Sequence, residues 1–111
     1  MNAYKYRIRL LEPVNVANNE KVLESIRAIA KMISNNPEEH YIKNLRTPVL
    51  KSISGVAQNI KMCRVIFLYG NGLLATKLNN PDFVIDVLIN NKWEEITKAN
   101  FKRISDLIIK K

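Results

Sequence analysis

The chain has 111 residues, 47% hydrophobic and 25% charged, a composition that argues against disorder and gives room for one domain (1–111) built on one core. Eighteen Lys and Arg stand against ten Asp and Glu, a formal net charge of +8, which predicts attraction to polyanions: nucleic acid, anionic lipid or an acidic protein. A single cysteine, Cys63, excludes an internal disulfide framework and any multi-thiolate metal site. No apolar run approaches the roughly 18 residues of a membrane span, and "MNAYKYRIRL" lacks a signal-peptide layout, so a cytoplasmic setting without membrane contact is expected.

In chain order, "YKYRIRLL" (4–11) alternates with a period of two. Tyr4, Tyr6, Ile8 and Leu10 share one face and Lys5, Arg7 and Arg9 the other, the pattern of a half-buried strand. In "NEKVLESIRAIAKMIS", Val22, Leu23, Ile26, Ile29, Ala30 and Ile33 recur at helical spacing. "NPEE" reads as a second helix start, with Asn36 as cap, Pro37 in the first turn and Glu39 closing a capping box; that helix would carry Tyr41, Ile42 and Leu45. Residues 48–60 admit helix or strand. The spacing of Val49, Leu50, Ile53, Val56, Ala57 and Ile60 favours helix, against the cost of Gly55.

"MCRVIFLY" and "LLATKL" read as strands joined by a hairpin at Asn71-Gly72, a preferred two-residue turn pair. The glycines of "YGNG" fit neither a Walker loop nor a dinucleotide fingerprint. "FVIDVLI" and "WEEI" read as two further strands joined by a turn at Asn90–Lys92, with a helix from Pro81 as the rival reading for 81–90. Thr97 is expected to cap a last amphipathic helix whose Phe101, Ile104, Leu107 and Ile108 form the apolar face, leaving Ile109 exposed. The expected fold is α+β: an N-terminal strand, two or three helices, an antiparallel sheet of three to four further strands, and a C-terminal helix, with the helices covering one sheet face.

Two basic arrays are the candidate nucleic-acid contacts. Lys5, Arg7 and Arg9 would project from one strand face at roughly 6.5–7 Å intervals, near the phosphate spacing of a nucleic-acid strand. Lys98, Lys102, Arg103 and Lys110 would line the last helix, and the two arrays would merge if that helix lies beside the first strand. Arg64, in an apolar segment, would face solvent or bind phosphate. Tyr4, Tyr6, Tyr41 or Tyr69 could stack on unpaired bases. His40 reads as a surface histidine and Cys63 as a small buried hydrophobe in a strand. Asp82, Asp86 and Glu94 could cluster across the acidic hairpin, although solvated carboxylates are expected there, with no metal and no cofactor. Trp93 reads as a lid on the core or, if exposed, a protein-contact residue.

These features favour a small, non-catalytic nucleic-acid-binding protein (RNA or DNA) that engages the phosphate backbone, since no base-reading motif is present. Asn, Lys and Ile make up 40 of 111 residues, in keeping with AT-rich coding and a bacterial, phage or plasmid accessory factor. An inhibitor or adaptor that binds a protein partner is a second class, and a homodimer extending the sheet is open to either. The order strand, helices, antiparallel strands, helix, with "LKSI…CRVIFLYGNG", is similar to RelE-type ribonuclease toxins. That resemblance implies RNA cleavage by basic groups gathered on the sheet, onto which Arg64 and Lys77 would fall. No histidine or tyrosine follows the sheet as that family's pattern requires.

Overall fold

The central strand sets the architecture. In the computed structural model, which describes residues 2–78 and 81–110, β1 (Ala3–Asn15) pairs with β3 (Val49–Gln58) on one side and β4 (Phe83–Ile89) on the other. β2 (Glu38–Tyr41) and β5 (Lys92–Glu95) form the two edges, giving a five-stranded antiparallel sheet in the order β2-β3-β1-β4-β5. Helices α1 (Glu20–Ile33), α2 (Asn59–Gly70), α3 (Leu73–Lys77) and α4 (Phe101–Lys110) complete an α+β domain. Lys111, the final residue of the basic C-terminal run, lies outside the described residues.

The alternation read in the first strand is present. Tyr6 and Ile8 are fully buried and Leu10 nearly so, and α1 packs over them with Leu23, Ile26, Ile29, Ala30 and Ile33. Val22, expected on that face, is exposed. The Tyr6 hydroxyl reaches the end of α1, donating to the Ala30 carbonyl at 3.3 Å and sharing a 2.5 Å hydrogen bond with Ser34 Oγ. Gly55, opposite Tyr6 on β3, makes the room: a Cβ there would lie 2.9 Å from both hydroxyl oxygens. At the β2 edge, Arg27 of α1 binds Glu39, which also accepts from the Tyr41 hydroxyl at 2.6 Å.

The middle of the chain differs from the sequence reading. Residues 38–41 are a strand rather than a helix, residues 49–58 are a strand rather than the favoured helix, and residues 59–70 and 73–77 are helices rather than strands. A register break at Lys51 explains the second case. Both neighbouring strands pair with Ser52 and then with Leu50, skipping Lys51, so Leu50 and Ile53 both face the core at a helix-like spacing of three. Asn71-Gly72 does form a turn, but between helices: Gly72, at φ 76°, takes the left-handed position that ends α2. The β-hairpin turn lies at Asn90-Asn91, both left-handed, where the expected strands 83–89 and 92–95 meet. Thr97, expected as the cap, instead lies in the turn before α4, which starts at Phe101; its carbonyl accepts from Phe101 N–H at 3.0 Å. Ile109 is exposed and Phe101, Ile104 and Ile108 are buried, as the wheel predicted.

α4 packs on α2, not beside β1. Cys63 Sγ lies 3.6 Å from the Ser105 carbonyl, and the Phe67 and Phe101 rings meet edge-on with centroids 6.1 Å apart, so the two helices run antiparallel. They pack tightly at Gly70, where a Cβ would fall 2.2 Å from Phe101 Cγ. Gly70→Ala is therefore expected to destabilise the fold by about 1–3 kcal/mol in chemical denaturation. Gly72→Ala, which meets no atom and strains only the backbone, should cost about 1 kcal/mol. If Gly70→Ala cost no more than Gly72→Ala, the α2–α4 contact would not be the tight packing described.

Candidate functional site

Strand alternation separates two surfaces. On the sheet face turned away from the helices, β1 presents Lys5, Arg7 and Arg9, as the sequence predicted. The register sets Ser52, Ser54 and Val56 beside them on one side and Val84, Asp86 and Leu88 on the other. The edge strands add Glu38 and His40, and Trp93 and Glu95.

The two arginines are already engaged. Arg7 Nε donates to Asp86 Oδ2 at 2.7 Å, and Arg9 donates to Asp86 and, at 3.1 Å, to Glu95. Asp86 is only 2% exposed. Burial pushes its carboxyl upward, and the hydrogen bonds from Arg9 and Arg7 outweigh that effect, holding it below the ordinary 3.8. The Arg7 guanidinium stacks over Trp93, 4.4 Å from the ring centroid. Trp93 thus lies on the open face and is 41% exposed, which replaces the reading of it as a lid on the core. His40 is half-buried on β2 and its Nε2 shares a 2.6 Å hydrogen bond with Ser54 Oγ. By register this face carries Lys5, Arg7 and Arg9 against Glu38, Asp86 and Glu95, with exposed Lys51 at the β3 register break, so its charge is close to balanced.

The charge excess lies in the helical layer. Segments 59–78 and 97–110 hold Lys61, Arg64, Lys77, Lys98, Lys102, Arg103 and Lys110, with Asp106 the one acidic residue, so they contribute +6 of the net +8. All seven basic side chains belong to exposed residues. Arg103 donates to Glu94 at 3.1 Å. Glu94 alternates with Trp93 and Glu95 on β5 and so faces the helical side, away from Asp86. Asp82, Asp86 and Glu94 therefore do not converge, and among the described residues no group of three His, Cys, Asp or Glu is placed to hold a metal ion.

Several sequence-predicted placements change. The two basic arrays lie on opposite sides of the sheet and form no joint patch. Arg64 and Lys77 project from α2 and α3 rather than from a sheet, which removes the arrangement the RelE-type likeness required of them. The tyrosines face inward: Tyr6 is buried, Tyr41 binds Glu39, Tyr69 donates to the Phe83 carbonyl at 3.1 Å, and Tyr4 packs against the core. Cys63 is half-buried on α2, and burial followed by the nearby Asp106 raises its thiol pKa. The exposed aromatic rings are instead Trp93 and Phe67, the latter 52% exposed on α2. Phe67 was hidden in an apolar run that read as a strand, although its place three residues after Arg64 is the helical signal for one surface stripe. No family model matches the chain, and neither a curated protein nor a solved structure matches it.

Asp86 has the depressed titration that links stability to pH. Its contribution is complete above the unfolded value of 3.8 and is lost as pH falls through the lower folded value. Asp86→Asn is expected to cost about 2 kcal/mol near neutral pH in urea unfolding, with the wild-type advantage shrinking in strong acid. An advantage unchanged from neutral pH into strong acid would mean that the ionised carboxylate contributes nothing.

Proposed function

We propose that this protein binds nucleic acid through the phosphate backbone, using the basic surface of α2, α4 and the turn before α4. The observation that carries the reading is the partition of charge: seven basic residues against one acidic in segments 59–78 and 97–110, beside a sheet face whose arginines are already paired with carboxylates. Phosphates are recognised by cations that are solvent-accessible and free of a protein carboxylate, because binding then releases condensed counterions without breaking an internal ion pair. Lys61, Arg64, Lys98, Lys102 and Lys110 are the proposed contacts, with Arg103 in reserve behind its bridge to Glu94. Arg7 and Arg9 are assigned a structural part on the other face, where Lys5 stands apart from the helical surface.

A second reading, a protein partner on the open sheet face, rests on Trp93. A half-exposed tryptophan with a stacked arginine, on a face of balanced charge, has the residue types that dominate protein interfaces.

Binding of the purified protein to RNA and DNA across a salt series tests the first reading. Log affinity should fall linearly with log salt, and Arg64→Glu with Lys102→Glu should weaken binding and flatten the slope by about one per lost phosphate contact. Lys5→Glu should change neither. Equal loss from Lys5→Glu and from the helical pair would sink the assignment to this surface. No binding at low salt would sink nucleic-acid binding altogether and turn attention to Trp93.

A further inference from the structure

The same helical surface carries exposed apolar side chains that phosphate contacts alone do not require. Ile60 is 66%, Phe67 52% and Ile109 62% exposed. On α2, Ile60, Arg64 and Phe67 recur at intervals of four and three, so they form one stripe along the solvent side of the helix. The antiparallel run of α4 places Lys102 next to Phe101, the ring that Phe67 meets, and brings Ile109 to the same end of the pair as Ile60. The edge-on contact with Phe101, at 66° between ring planes, holds Phe67 in a set orientation while half of its surface remains open to solvent.

We infer that the ligand of this surface is a single-stranded nucleic acid, with an unpaired base stacked on Phe67 and the flanking phosphates held by Arg64 and Lys102. The inference rests on the reading of α2 and α4 as a phosphate-binding surface and specifies what that surface takes. A duplex offers phosphates but keeps its base faces inside the stack, so it would leave Phe67 against water or sugar. A single strand offers both, and an aromatic platform flanked by cations matches that pair of features. Charge decides against an apolar protein helix as the occupant: Lys61, Arg64, Lys102 and Lys110 surround the apolar stripe and Asp106 is the lone carboxylate among them. The contact would be tolerant of base identity, because every base has a π-face and no side chain of the stripe is placed as a dedicated base-edge reader.

The test is fluorescence anisotropy of a labelled oligothymidylate and of a blunt DNA duplex of the same length, titrated with wild type, Phe67→Ala and Phe67→Leu, each first shown by circular dichroism to be folded. The single strand should bind more tightly than the duplex. Phe67→Ala should weaken the single strand about tenfold and leave the duplex unchanged. Phe67→Leu, which keeps apolar bulk without a ring face, should show the same loss. Equal affinity for both forms, with no effect of Phe67→Ala, would overturn the single-strand inference while leaving phosphate binding intact. Undiminished affinity of Phe67→Leu for the single strand would also overturn it, since apolar bulk without a ring face would then suffice. Failure of both forms to bind would remove the phosphate reading and this one with it.

Discussion

Arg7 and Arg9 leave the same face of the central strand two residues apart, and one buried carboxylate, Asp86, holds both. Without it, two like charges would sit side by side in the middle of a sheet, where each is less than half exposed. With it, β1 is tied to β4 by charge as well as by backbone, and Glu95 extends the tie to β5. The period of two puts the intervening residues on the far face of the same strand, which is apolar. Tyr6, Ile8 and Leu10 supply it, so the helices can pack only on that side. The sidedness of the domain follows from these few residues, and so does the location of its free charge.

That location is what separates the two candidate surfaces. A strand of alternating cations looks, in sequence, like a phosphate ladder. In the fold, its arginines are the counter-ions of carboxylates that the hairpin brings alongside. Breaking those pairs to bind phosphate would leave Asp86 buried and uncompensated, a cost that solvent-exposed lysines on a helix do not carry. Net charge therefore marks the protein as a candidate polyanion binder, and the pairing of charges decides which face is available for it.

The parts of the fold that were legible in sequence are those whose local pattern and tertiary surroundings agree. β1 alternates because one face is buried and the other is not, α1 and α4 each bury one stripe, and the β4–β5 hairpin turns on asparagines that tolerate positive φ. Over residues 36–78 the sequence pattern and the fold exchange helix and strand, and each exchange has a physical source. Glu39, which completes a capping-box pattern on paper, instead ties β2 to α1 through Arg27. The skipped Lys51 gives β3 a helix-like spacing, and Gly55 hides the inward position where Tyr6 needs space. At the site, the cations on α4 were legible as a face, whereas the partners of Arg7 and Arg9 were not, because Asp86 lies 79 and 77 residues away along the chain.

The misreading of α2 and the concealment of Phe67 have one cause. α2 meets the sheet and α1 through Met62, Val65 and Ile66, and meets α4 through Cys63, Phe67 and Gly70. Contact on two sides makes "MCRVIFLYG" apolar around most of its circumference, which is also how a buried strand reads. The remaining arc is narrow, and Arg64 and Lys61 are its only charged residues. Phe67 stands on the border between the α4 contact and that arc, so it packs with one part of its ring and exposes the rest. Gly70 makes this possible: by letting Phe101 lie against the α2 backbone, it draws the two helices close enough for Phe67 and Lys102 to share one surface. A bulkier residue at 70 would move α4 outward and part the aromatic platform from the cation beside it, so the close packing of Phe101 on Gly70 is also what assembles the proposed binding stripe.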